Sequence, residues 1–178
     1  MIKRCSWVEG KEKIYIKYHD EEWGVAKFDD NILFEMLVLE SFQAGLSWIT
    51  ILKKRESFKK AFDNFNLDKI INYDDEKVRK LLENEKIIRH EGKIRATINN
   101  AKVFKEIQKE YGSFSDYIWS FTGHKIIKAE YKTKSNLSDK ISKDLKKKGM
   151  KFVGSITIYS YLEAIGIIDN HTKDCFKY

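Results

Sequence analysis

The strongest hydrophobic pattern in the chain lies at residues 33–43, LFEMLVLESFQ, where Leu33, Phe34, Met36, Leu37, Val38, Leu39 and Phe42 leave almost no polar face. A helix that is apolar all round belongs inside a protein. Asp29 or Asp30 is placed to cap it, and Glu35 lies in its early turns, where negative charge suits the helix dipole. Gly45 breaks the pattern, and Ser47 is placed to cap a second helix, SWITILKKRESFKKAF. Asn66 then opens a short turn around LDKII, and Asp74 caps DEKVRKLLEN. Apolar residues at Ile94, Ile98, Ala101 and Ile107 predict a longer helix ending at Gly112, and Ser113 or Ser115 starts FSDYIWSF. The last third reads as a helix, SDKISKDLKKKG, a tight turn, MKFVG, and a helix, SITIYSYLEAIG. Residues 1–28 show no clean helical period and read as an irregular aromatic arm, and residues 122–137 as a connecting loop. KIYIKY at 13–18 is the only strand-like alternation, so the fold class is all-α.

The 178 residues suit one domain. The pattern divides it into a helical body at about 29–121, a hairpin lobe at about 138–166, and two end segments, 1–28 and 167–178. No apolar run is long enough to span a membrane and no secretory leader is visible, so a cytoplasmic monomer is expected. A net charge of +7 attracts polyanions, nucleic acid first among them, although lysine-rich composition alone is weak support. Motifs of the GxGxxG, GxxxxGK[ST] and HExxH types are missing, which removes support for nucleotide cofactors and zinc proteases.

Three constellations carry candidate chemistry. At helical spacing Glu40 shares a stripe with Leu33, Met36, Leu37 and Ala44. A carboxylate there must be paired, protonated or facing a cavity, because burying a bare charge is costly. Tyr18, Trp23 and Trp48 are candidate companions, and aromatics around one carboxylate suit a flat cationic heterocycle. They could equally be ordinary core, with Glu40 held by an Arg or Lys. Cys5, His19, His171 and Cys175 supply the donor set of a closed structural zinc site, although spacing alone does not join positions so far apart. The hairpin KKKGMKFVGS sets Lys146, Lys147, Lys148 and Lys151 around Gly149 and Gly154, where backbone N–H groups can bind phosphate. An ordinary αα-turn with a solvated lysine face would read the same way.

Taken together, RCSWV at 4–8, YHDEEWGV at 18–25, LFEMLVLESFQAGLSWITILKKRE at 33–56, IIRHEGKI at 87–94, WSF at 119–121, LKKKGMKFVG at 145–154 and NHTKDC at 170–175 resemble the 3-methyladenine DNA glycosylase I family. That family belongs to the helix-hairpin-helix DNA glycosylase superfamily, and the resemblance covers essentially the whole chain. It implies one structural Zn2+ held by Cys5, His19, His171 and Cys175, joining the two chain ends. It implies that Glu40 and Tyr18 recognise the damaged base as the catalytic pair, with Trp48 stacking and Trp23 alongside. The segment Gln43 to Leu46, with Gly45 at its joint, is similar to the family's probe into the DNA stack. Lys148, Gly149, Lys151 and Gly154 correspond to its phosphate anchor. Where the family mostly reads Asn-Asp-His, this chain reads Asp169-Asn170-His171. Asp169 therefore lies near the superfamily's catalytic aspartate, or simply caps the turn that presents His171.

The activity these features imply is hydrolysis of the N-glycosidic bond of 3-methyladenine in double-stranded alkylated DNA, by base flipping. With no lysine in an obvious Schiff-base position, a monofunctional enzyme without strand cleavage is expected. A zinc-stapled DNA-binding module that does not cut is the rival from another class, and a metallohydrolase is a weaker one. The buried acid separates the first pair, since a pure binder has no need of Glu40.

Overall fold

A central helix, α2 (Asp30–Gln43), buries Leu33 through Phe42 without a break. The computed structural model describes residues 2–178, and around α2 it places α1 (Lys13–Glu21), α3 (Trp48–Ala61), α4 (Leu67–Ile70), α5 (Asp75–Glu83), α6 (Glu91–Tyr111), α7 (Phe114–Ser120), α8 (Asn136–Lys147) and α9 (Ser155–Ala164). Helices α3, α6, α7 and α9 all pack on α2, which explains why it shows no polar face. Asp29 caps it, its carboxylate accepting from the Ile32 N–H at 3.0 Å. Asp30 does other work: it accepts from the N–H groups of Phe114 at 2.9 Å and Ser115 at 2.8 Å, and so ties the start of α2 to the start of α7.

Asp74 and Ser113 cap α5 and α7 as expected, each accepting from the backbone one turn later, while α8 starts ahead of the expected SDKISK, with Ser135 as its cap inside the segment expected to be loop. Ser47 holds the N-cap position of α3 without making that bond; its hydroxyl pairs with Thr50 at 2.7 Å instead.

Two expectations are corrected. Residues 13–18 are helical, not strand or irregular arm. The isoleucine–tyrosine alternation is too short to fix a period, and what decides the conformation is the docking of one helical face, Tyr15, Tyr18 and His19, with α1 against α3. The loop 122–137 also contains a strand, β1 (Ile127–Lys128), which pairs in parallel with β2 (Ile168–Asp169). Two-residue strands leave no periodic signal, and the mostly helical class is otherwise as expected.

The N-terminal segment is fastened to the end of α9. The Gly24 N–H donates to the Glu163 carbonyl at 3.0 Å, and the Lys27 N–H to the Ile165 carbonyl at 2.9 Å. Gly166 turns with φ +77°, and a Cβ there would lie 2.3 Å from the Ala26 nitrogen, so only glycine permits this approach. Lys27 then caps α9, its ammonium donating to the carbonyls of Ala164 and Glu22, both at 2.7 Å. Burial lowers the Lys27 ammonium to a pKa of about 8.

Candidate active site

These contacts leave a cavity of about 530 Å³ bounded by α1, the turn between α2 and α3, and α9. Glu40, Tyr18, Trp48, Trp23 and Gln43, all expected at the site, line it. Glu40 is 3% exposed, and among the described residues its Oε2 has no hydrogen-bond partner. Burial, and secondarily the charge of Glu163, pushes its carboxyl well above the usual carboxylate range. The salt bridge that would have made Glu40 an ordinary core acid belongs to Glu35, which takes Arg55 at 2.7 Å. Arg55 also binds Glu22 at 2.7 Å and thereby locks α3 to α2 and to the end of α1.

Tyr18 is buried, with its ring 5.3 Å from that of Trp48, and the Trp48 Nε1 is buried without an acceptor. Trp7, Tyr15, Glu163 and Asn170 also line the wall, and none of them was expected as a base-site residue. Trp7 packs edge-on to Trp23 and Tyr15 at 4.9 and 5.1 Å. Glu163 carries the same signal as Glu40, an acid inside an apolar helical run, SITIYSYLEAIG.

Beside this wall, the ligand atoms of Cys5, His19 and Cys175 all lie within 4.8 Å of one another, and together they could hold a metal ion. The Cys175 Sγ to His19 Nε2 distance is 3.6 Å, against about 3.5 Å for an edge of a tetrahedron built from ordinary Zn–S and Zn–N bonds. His171 stands next to them, its ring 5.1 Å from that of His19 and its buried Nε2 without a partner. In both imidazoles Nδ1 is held by a carboxylate at 2.7 Å, Asp20 for His19 and Asp169 for His171, which aims Nε2 as metal ligands are commonly aimed. Gly24 makes room for this: a Cβ would come within 2.8 Å of the His171 ring. Asp169 also pairs with Lys128 at 2.7 Å, so its carboxylate is occupied, and it does not line the cavity.

At the mouth, Gly45 takes φ +81° in a turn closed by the Leu46 N–H donating to the Gln43 carbonyl at 2.7 Å and the Gln43 amide donating to the Leu46 carbonyl at 3.0 Å. Leu46 is 39% exposed at its tip. The hairpin between α8 and α9 is clamped from α6: Asn100 donates to the Lys151 carbonyl at 2.8 Å and accepts from its N–H at 2.9 Å, while Asn99 donates to the Gly149 carbonyl at 2.8 Å. Gly149 turns with φ +101°, and Gly154 is the N-cap of α9, whose first turn receives no side-chain cap. Lys146, Lys147 and Lys151 are exposed. Lys148 turns back to the body, paired with Glu110 at 3.1 Å and lying over the rings of Tyr111 and Tyr117.

The mostly helical body thus carries an acid- and aromatic-lined cavity bounded by α1, the turn between α2 and α3, and α9, and its class follows from the proteins it resembles. The sequence profile described as methyladenine glycosylase matches residues 7–178. The chain is 44% identical to the DNA-3-methyladenine glycosylase of Haemophilus influenzae, covering 98% of this chain and 97% of that one. It superposes with a TM-score of 0.94 on a crystal structure of 3-methyladenine DNA glycosylase I, at 43% identity and 98% coverage of both chains. A variant of such an enzyme in complex with 3-methyladenine superposes with a TM-score of 0.93, at 37% identity over 97% of this chain and 96% of that one. The chain belongs to the methyladenine glycosylase family and is an enzyme of the 3-methyladenine DNA glycosylase I kind, acting in the repair of alkylated DNA.

Proposed function

We propose that the cavity holds a 3-methyladenine base turned out of duplex DNA, with Glu40 as the partner of its positive charge. The observation that carries this reading is the unpartnered, buried Glu40 oxygen in an aromatic cavity. Alkylation at N3 leaves the base cationic and weakens its bond to the sugar. Glu40, ionised by the arriving cation, offers Coulomb attraction and a charge-assisted hydrogen bond, both strengthened where water is excluded. Tyr18 reads the polar edge, and the Trp48 ring stacks on the base. When the C1′–N9 bond breaks, its electron pair neutralises the base. Water adds to C1′ and its proton passes to solvent. The reaction is hydrolysis that leaves the strand intact, a reading supported by a cavity lining without lysine among the described residues. Gln43 to Leu46 fill the gap left by the flipped nucleotide. The first turn of α9 together with Lys147 and Lys151 anchors a phosphate.

Cys5, His19, His171 and Cys175 hold one zinc ion in a closed, structural site; the orphaned His171 Nε2 beside the other three donors supports this fourth ligand. Fastening residue 5 to residue 175 keeps Trp7, Tyr18 and Asn170 at the cavity wall.

The test is release of free base from methylated DNA by the protein and by Glu40→Gln. The protein should release 3-methyladenine, and the variant should do so far more slowly with its fold intact. Binding of alkylated DNA without release of any base would instead identify a non-cutting module.

A further inference from the structure

Glu163 is 6% exposed and lines the same cavity as Glu40, yet the mechanism above does not use it. Its Oε2 accepts from the Asn170 Nδ2 at 3.0 Å, and the same nitrogen donates to the Tyr159 hydroxyl at 2.9 Å. Both amide protons are thereby used, which fixes the amide with Nδ2 toward α9 and Oδ1 directed away from it. Asn170 is 5% exposed, lines the cavity, and its Oδ1 is buried with no partner. Buried polar atoms are hydrogen-bonded with few exceptions, so unpartnered ones lining a cavity point to a ligand. Here the unpartnered acceptors are the Glu40 Oε2 on α2 and the Asn170 Oδ1 beyond β2.

We propose that Glu163 and Asn170 form a second acceptor site for the flipped base, taking the exocyclic N–H that Glu40 leaves free. This rests on the cavity being the 3-methyladenine site. An exocyclic amine carries two N–H donors, and one carboxylate oxygen satisfies one of them. Acceptors on α2 and at Asn170 can engage both. A base with a 6-oxo group in place of the amine would set a carbonyl against acceptors, and a site whose buried polar groups go unpaired rejects a ligand strongly. Glu163 acts by orientation: it holds the Asn170 nitrogen back so that the oxygen faces the base. Burial raises the Glu163 carboxyl to about 7, a strained arrangement beside Glu40 that a donor ligand relieves.

The experiment is calorimetric titration of the full-length protein with 3-methyladenine and with 3-methylhypoxanthine, its 6-oxo counterpart. Glu163→Gln, Asn170→Ala and Glu40→Gln are titrated alongside, with melting curves and metal content as checks on the fold. Glu163→Gln, which presents a donor and frees Asn170 to turn, should reduce the preference for 3-methyladenine by about tenfold or more, and Asn170→Ala should reduce it in the same direction. If both ligands weaken by one factor, or neither changes, the pair is structural and the proposal fails. If Glu40→Gln loses 3-methyladenine while Glu163→Gln and Asn170→Ala keep the parent's preference, the cavity assignment stands and only the second site is overturned. If the parent binds neither ligand, the cavity assignment itself falls, and this proposal with it.

Discussion

Lys93, inside α6, donates its ammonium to the Ala44 carbonyl at 2.7 Å, across the interface with the end of α2. It reaches the Phe42 carbonyl as well, at 2.9 Å, so one buried cation satisfies two carbonyls at a helix C-terminus, where positive charge is favoured. The turn that carries Gly45 and Leu46 starts at that point. Lys93→Met keeps the aliphatic stem but leaves the two carbonyls unpaired, a loss of about 1–3 kcal/mol. It should lower the melting temperature and slow excision from duplex DNA much more than it weakens binding of free 3-methyladenine. Equal losses in a duplex assay and a free-base titration would show that Lys93 supports the whole site rather than the turn.

Cys175 closes the chain against Cys5 and His19. Cys175→Ala should lose bound zinc and lower the melting temperature sharply, because metal binding energy at a closed site is folding energy. A chelator should destabilise the parent and leave the variant unchanged. Metal analysis of the purified proteins decides it, and normal zinc content in the variant would overturn the ligand assignment.

Lysines at the hairpin are not equivalent. Lys147 and Lys151 are exposed, whereas Lys148 is held by Glu110 and two tyrosine rings. Each phosphate contact contributes about 0.9 to the slope of log affinity against log salt. Replacing Lys147 and Lys151 together with Ala should therefore flatten the slope by about 1–2 and weaken binding alike on all sequences. Lys148→Ala should instead lower stability with little change in slope. A salt titration in which Lys148→Ala gives the larger change would reverse this assignment.

How legible these features were depended on chain length and neighbours. The apolar run of α2, its break at Gly45 and the acid within it could be read directly, because a charged residue in a helix buried on every side demands a partner, a proton or a cavity, and the fold decides which. The cap at Asp74 was equally plain, while those of α2 and α7 were narrowed to adjacent or near-adjacent pairs from which the fold selects Asp29 and Ser113. Helix α1 was hidden because Ile14 and Ile16 alternate with lysine and tyrosine, while the groups that dock it, Tyr18 and His19, are polar. The β1–β2 pair is too short to leave a period. Which of several lysines faces outward depends on Glu110, Tyr111 and Tyr117, and no local pattern links those to residue 148. Glu163 was missed because its meaning depends on Glu40 and Asn170, which only the folded chain brings to one cavity.

Those acids also set a pH dependence. Glu163 has its carboxyl raised from an ordinary 4.5 to about 7 by burial, opposed in part by the Asn170 hydrogen bond. Among the titratable groups around it are Glu40 on α2, Tyr18 and Tyr15 on α1 and Tyr159 on its own helix. Glu40 is shifted in the same direction, and the tyrosines stay protonated throughout the range. Between pH 4.5 and about 7 the folded protein keeps a proton that the unfolded chain has released. Folding stability therefore falls as pH rises through this window, and below it both states are protonated and the penalty vanishes. Glu163→Gln removes the titration while keeping the size of the side chain. The variant should melt close to the parent at about pH 4.5 and a few degrees above it at about pH 7.5, with each 1 kcal/mol worth about 2–4 °C in a chain of this size. Melting curves at the two pH values read the difference. A variant that is less stable than the parent at the higher pH would show that the Glu163 carboxylate is satisfied in the free protein, contrary to the strain inferred here.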